Sequence, residues 1–122
     1  ELTKIGVDAI VLSNHGGRQL DRSVVPLELL PEVRKSIGTK GVGPEIYIDG
    51  AIMSGADVLA AIALGADAVL IGRAYLYGAM SAGKDGVEKV VEILRFEMET
   101  AMKLMGAKNL SELSPEFVNI RN

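Results

Sequence analysis

Strand-like and helical segments alternate three times along this sequence, which predicts an α/β chain built on a parallel sheet. Three observations carry that prediction. Short apolar runs at Ala9–Leu12, Ile46–Ile48 and Ala68–Ile71 lack polar alternation, as expected of parallel strands covered on both faces. Gly6-Val7-Asp8 and Gly65-Ala66-Asp67 lead into the first and third runs. That repeat suggests successive helix-to-strand units, each preceding helix ended by a glycine in a left-handed turn. The segments between the runs carry apolar residues at helical spacing.

Each element has its own signals. Leu27, Leu30, Val33 and Ile37 share one face of a first helix. The glycine-rich stretch Gly38-Thr39-Lys40-Gly41-Val42-Gly43-Pro44 follows a helix rather than a strand, so it is expected to be a flexible connection and not a phosphate cradle. Ser54 and Asp57 form a capping box for a second helix carrying Val58, Ile62 and Leu64. Val87, Val90, Val91, Leu94, Met98, Ala101, Met102 and Met105 make the stripe of a long third helix, and Gly106 is its natural stop. Three of the five methionines lie in that stripe, which reads as core rather than as a ligand surface. Asn109 to Asn122, with Ser114-Pro115-Glu116 as a helix start, is expected to form a C-terminal clasp.

Bulk composition narrows the function classes. A length of 122 residues bounds the chain to one domain, residues 1–122, and 48% hydrophobic content excludes disorder. The net charge of −3 and 4% aromatic content offer neither an electrostatic field nor a stacking platform for nucleic acid. The apolar runs are too interrupted for a membrane span. With no cysteine, this stretch holds no disulfide, thiolate metal site or cysteine nucleophile, which fits a reducing cytoplasm. The start, Glu1-Leu2-Thr3-Lys4, reads like the middle of a helix rather than a secretory segment.

Chemistry concentrates at the ends of the three strand-like runs. After the first comes Ser13-Asn14-His15-Gly16-Gly17-Arg18-Gln19-Leu20-Asp21, which holds the only histidine. A lone histidine after a strand is ordinarily structural, but its neighbours change that reading. The glycines allow a sharp turn with room for a ligand, and Arg18 offers a two-pronged donor for a carboxylate. Imidazole changes charge around neutral pH and can accept a proton there. Asp49-Gly50-Ala51-Ile52-Met53 ends the second run. Gly72-Arg73 ends the third, where glycine admits a ligand close to the backbone and arginine supplies a cation for phosphate.

The nine-residue motif resembles the active-site signature of the FMN-dependent α-hydroxy acid oxidising enzymes, of the glycolate oxidase and L-lactate dehydrogenase type. The resemblance continues through residues 61–73 and covers essentially the whole chain. It implies a (β/α)8 TIM barrel, of which this chain is the C-terminal part: about three β/α units, the sixth to eighth strands, plus closing helices. Such a barrel needs roughly 250 residues, so an N-terminal barrel half is the expected partner, in a homo-oligomer located in the cytoplasm. The implied cofactor is FMN and the implied substrate a small L-2-hydroxy acid, oxidised to the 2-keto acid. By resemblance, His15 is the base and Arg18 binds the substrate carboxylate. Asp49 meets the flavin ribityl chain, while Gly50, Ala51, Met53, Gly72 and Arg73 occupy cofactor-binding positions.

The family usually reads Asp-Gly-Gly, an aliphatic residue, then arginine at the second site. Ala51 and Met53 depart from it, which removes one charge-assisted phosphate contact. Ser54 and Gly55 are expected to add backbone N–H groups to the same anion. Gln19, Leu20 and Asp21 match the family as loop structure. The Ile52-Met53 pair, with Ser54-Gly55-Ala56-Asp57 behind it, looks closest to the mycofactocin-associated branch, which makes a peptide-derived substrate the alternative. A non-catalytic half-barrel remnant is the third reading. A lysine near the flavin ring, an aspartate that orients the histidine and substrate-side tyrosines would all lie upstream, so the isolated chain is expected to be inactive.

Overall fold

The structure, a computed structural model, describes residues 2–120. Three parallel strands, β1 (Ala9–Ser13), β2 (Glu45–Asp49) and β3 (Ala68–Leu70), lie side by side in chain order. They are joined by α1 (Pro26–Ile37) and α2 (Gly55–Ala63), and α3 (Arg73–Met105) follows. Each strand-like run of the sequence is a strand within one residue at either end. The order β1-β2-β3 lacks the reversal that marks a doubly wound sheet.

The core lies between the sheet and its helices. Leu30 of α1 and Ile46 and Ile48 of β2 are fully buried. Val58, Ala61 and Leu64 from the second helical segment join them, with Leu12 and Val69 packed against the cluster from the outer strands. The opposite face of the sheet is different. Register places Val11 beside Tyr47, and Asp49 beside Leu70, yet Val11 is 50% and Leu70 43% exposed. The expectation of cover on both faces therefore fails within this chain. Helices pack on one face only, and the apolar residues of the other stand open.

Local signals explain the helix ends. Pro26 opens α1, where its missing N–H costs nothing, and Gly38 closes it with its N–H on the Arg34 carbonyl at 3.1 Å. The capping box of α2 is present: Ser54 Oγ accepts from Asp57 N–H, and Asp57 accepts from Ser54 N–H at 2.8 Å. Gly6 and Gly65 have φ of 75° and 109°, so the repeated strand lead-in is left-handed at both places.

The third helix is longer than its apolar stripe. It starts at Arg73, breaks at Ala82 and Gly83, and ends on left-handed Gly106. Across the break the chain folds back on itself: a Cβ on Gly86 would stand 1.9 Å from the Gly78 carbonyl oxygen. Only glycine permits backbones to approach that closely. Within the stripe Leu94 is buried, most of the rest is half-buried, and Val91 is exposed. At the C-terminus the clasp consists of two single 3-10 turns, Leu110–Glu112 and Pro115–Phe117, and Val118 packs against the core. Ser114-Pro115-Glu116 starts a turn and not a helix, because the chain extends again at Val118.

At the end of the sheet away from the strand carboxyl termini, Asp67 binds three elements together. Its Oδ2 accepts from the Ile46 N–H at 2.8 Å and from Arg34 Nη2 at 2.6 Å, and Lys40 Nζ lies 3.7 Å from its Oδ1. Lys40 also donates to the Ala66 carbonyl at 2.9 Å, so the glycine-rich loop does connect, at the end remote from the strand carboxyl termini. Partial burial pushes the Asp67 carboxyl up, but the Ile46 N–H, Arg34 and Lys40 outweigh it and hold the group below its ordinary value of 3.8. Its contribution to stability is therefore complete above that value and disappears as pH falls through the lower folded one. Asp67→Asn is expected to cost about 2 kcal/mol at neutral pH. Urea unfolding of both forms should show the difference shrinking below about pH 4.

Candidate active site

The turn after β1 is built by its own polar side chains. Ser13 Oγ donates to Asp49 Oδ2 at 2.5 Å and accepts the His15 N–H at 3.0 Å. Asn14 Oδ1 accepts the Gly16 N–H at 2.9 Å, and its amide donates to the Val24 carbonyl at 3.3 Å. The backbone closes through Gly17 N–H on the Asn14 carbonyl and Arg18 N–H on the His15 carbonyl. His15, Gly16 and Gly17 have φ of 54°, 66° and 75°, three left-handed residues in succession. Two are glycines at no steric cost. His15 is strained by about 1 kcal/mol, and the anchored turn sustains it. Its Nδ1 is hydrogen-bonded to Gln19 Oε1.

The end of β2 turns away just as sharply, with Gly50 at φ 114° and Ala51 at φ 60°. A Cβ on Gly50 would stand 3.2 Å from Asn14 Oδ1, so glycine lets the β1 and β2 turns touch. Ile52 then enters the core while Met53 is 46% exposed. After β3, Gly72 precedes α3, and a Cβ there would meet nothing within 4 Å. The Arg73 guanidinium lies against Gly16: a Cβ on that glycine would be 3.4 Å from Arg73 Nη2.

These three turns enclose one open cleft of about 350 Å3 at the carboxyl ends of the strands. His15, Arg18, Asp49, Gly50, Ala51, Met53, Gly72 and Arg73 all line it, so these eight candidates are brought to one place, while Ser54 and Gly55 are not among its lining residues. Ile52, Leu70 and Leu76 add an apolar floor. Among the described residues no cluster of His, Asp and Glu could hold a metal ion.

Two helix N-termini border this cleft, and they differ. The expectation that Ser54 and Gly55 lend amides to an anion is overturned. Asp57 Oδ2 takes the N–H groups of Met53 and Ser54 at 3.0 and 2.8 Å, and Glu97 Oε2 takes that of Gly55 at 2.7 Å. The start of α2 is closed by carboxylates. A Cβ on Gly55 would stand 2.5 Å from the Met98 nitrogen, so α3 packs directly on this terminus. Nothing in the sequence links Glu97 to a residue 42 positions earlier. The start of α3 has no side-chain cap, which leaves its first amides without an intrahelical acceptor beside the Arg73 cation. Donor chemistry at α3 therefore fits a phosphate, and at α2 it does not.

The family model for FMN-dependent dehydrogenase matches residues 1–120. The chain belongs to the FMN-dependent dehydrogenase family. A Mycobacterium tuberculosis (strain ATCC 25618 / H37Rv) protein provisionally named L-lactate dehydrogenase is 57% identical over 113 residues, which is 93% of this chain and 27% of that protein. A flavocytochrome b2 variant with sulfite bound superposes with a TM-score of 0.88 at 41% identity, over 98% of this chain and 34% of the other. A mandelate oxidase variant carrying an FMN monooxide adduct gives 0.84 at 42% identity, over 93% and 35%. The chain thus spans about a third or less of the relatives it matches. No helix among the described residues is long and apolar enough to cross a membrane.

Ala51, like His15, is a cleft residue whose side chain works against its left-handed backbone. A left-handed alanine costs about 1–2 kcal/mol, and glycine's greater freedom in the unfolded chain returns part of that. Ala51→Gly is expected to stabilise the fold by about 0.5–1 kcal/mol, measured as a raised urea midpoint at unchanged slope.

Proposed function

We propose that this chain is the C-terminal sector of a (β/α)8 barrel enzyme that uses FMN to oxidise a small L-2-hydroxy acid to the 2-keto acid. The observation that carries the proposal is the convergence of His15, Arg18, Asp49 and Arg73 on one cleft at the carboxyl ends of three parallel strands. That end is where barrel enzymes keep their chemistry. The open apolar face with Val11, Tyr47 and Leu70 supports a barrel interior completed by further strands. Sequential strand order supports the same closure.

Each residue has a task in this reading. Arg18 pairs with the substrate carboxylate through two N–H donors, which fixes the orientation of the α-carbon. His15 accepts a proton from the substrate as the hydroxy acid gives up two electrons and two protons. Bound FMN supplies the two-electron acceptor. Asp49, held by Ser13, would meet the ribityl hydroxyls, and the Gly50 and Ala51 backbone, which lines the same cleft, would lie against the cofactor. Arg73 and the uncapped start of α3 take the phosphate. Met53 brings no charge, so that seat rests on the α3 side.

Two outcomes test the reading in the barrel completed by its N-terminal half. His15→Ala should lower flavin reduction by L-lactate about 10²–10⁴-fold with FMN still bound. Arg73→Ala should weaken FMN binding about tenfold or more. Larger, peptide-derived substrates that bleach the flavin where L-lactate does not would shift the substrate class. The 122-residue chain alone, with three of eight strands, should show neither flavin reduction nor micromolar FMN affinity by fluorescence titration.

A further inference from the structure

We propose that the N-terminal barrel half brings a lysine or arginine to Glu45 and pairs with it inside the amino end of the closed barrel. This rests on the barrel reading given above and names the chemistry that the bare sheet face asks of its partner.

Glu45 opens β2. Alternation puts it on the uncovered face with Tyr47 and Asp49, while Ile46 and Ile48 point into the helix-packed core. Register places Ala9 beside Glu45, Val11 and Ala68 beside Tyr47, and Leu70 beside Asp49. The face is thus largely apolar, with a carboxylate at either end of its middle strand. The two carboxylates differ. Asp49 lines the cleft and is held by Ser13. Glu45 stands exposed at the opposite end, where the Tyr47 hydroxyl donates to it. Among the described residues no cation pairs with Glu45. Arg34 and Lys40, the cations at that end, are both committed to Asp67. The hydrogen bond to Glu45 and its negative charge push the Tyr47 hydroxyl above its ordinary 10.0, and Asp67 adds a smaller push. Tyr47 therefore stays a neutral donor at physiological pH and leaves the carboxylate its full charge.

Closure changes the surroundings of that charge. A (β/α)8 barrel is filled by layers of side chains, each layer drawn from alternate strands. With β2 as the seventh strand, the layer of Glu45 is completed by the first, third and fifth, all in the N-terminal half. β1 and β3, the sixth and eighth, feed the layers between. No other strand of this chain shares the layer. An enclosed carboxylate with a single hydroxyl donor is strongly destabilising unless a cation joins it.

Urea unfolding of the completed barrel, at a fixed excess of FMN, compares wild type with Glu45→Gln between pH 4 and 8. Glutamine keeps the size and can still accept from Tyr47, so the comparison isolates the charge. A cation beside Glu45 lowers its carboxyl in the folded state. The stabilisation is then complete above the unfolded value of about 4.3 and disappears as pH falls through the lower folded one. Expected is an unfolding constant at pH 7 about tenfold or more larger for Glu45→Gln, with the gap narrowing toward pH 4. A variant as stable as wild type at pH 7, or more stable, overturns the proposal, because it marks an unpaired carboxylate raised by burial. So does an N-terminal half with no inward Lys or Arg on its first, third or fifth strand. In a background with that basic residue changed to Met, Glu45→Gln should no longer destabilise, and a persisting gap overturns the pairing. The same background decides if Glu45→Gln alone fails to fold, since removing the stranded cation should rescue it. Unfolding is read and not turnover. An inactive barrel that shows the gap sinks the proposed chemistry alone, and an active one that lacks it sinks the pairing alone.

Discussion

Ser13 and Asp49 are partners across the β1–β2 ladder, and the hydroxyl of one donates to the carboxylate of the other. That pairing ties the site together. The same Ser13 oxygen accepts the His15 N–H, so the turn that carries the histidine hangs from the residue that holds the aspartate. Parallel register also sets Leu70 beside Asp49, which brings the third strand's carboxyl end, and Arg73 beyond it, to the same rim. A slip of one residue would send each of these side chains to the helix-covered face. The three turns share one cleft because the ladder permits no other alignment of their strands.

Two helices begin at that rim, and their different capping divides the labour. The start of α2 has carboxylates from Asp57 and Glu97 on its amides, so its positive end is neutralised within the protein. The start of α3 carries an arginine and no capping side chain. An anion therefore meets attraction at one helix and occupied donors at the other. This asymmetry accommodates Met53: an uncharged side chain stands next to a terminus whose Met53, Ser54 and Gly55 amides are already taken by carboxylates.

The open face of the sheet marks where this chain's own packing stops. Val11 and Leu70 are apolar residues left half-exposed, whereas Ile46 and Ile48, one position along, are completely buried. Alternation along a strand gives each sheet two faces, and helices α1 and α2 cover one. His15, Arg18 and Arg73 likewise sit exposed at the rim rather than enclosed. The flavin chemistry proposed above would need a cover that three strands do not supply.

Much of this was legible in the residue pattern. Apolar runs and helical periodicity located all three strands, α1, α2 and the part of α3 after its break, Ser54 with Asp57 announced a capping box, and Gly106 marked a helix end, because each is a short-range signal in which neighbours decide conformation; the helical turns from Arg73 to the break went unread. Eight of the twelve cleft residues were singled out too: His15, Arg18, Gly72 and Arg73 by their chemistry at strand ends, and Asp49, Gly50, Ala51 and Met53 through the resemblance. The pattern did not reveal that the sheet has a bare face, that α3 doubles back at Gly78 and Gly86, or that Glu97 fills the start of α2. Sequence alone determined the order and kind of the elements and the chemistry carried at each strand end. Tertiary structure decided which helix terminus stays open and where α3 folds back, because both depend on contacts whose partners no local pattern encodes.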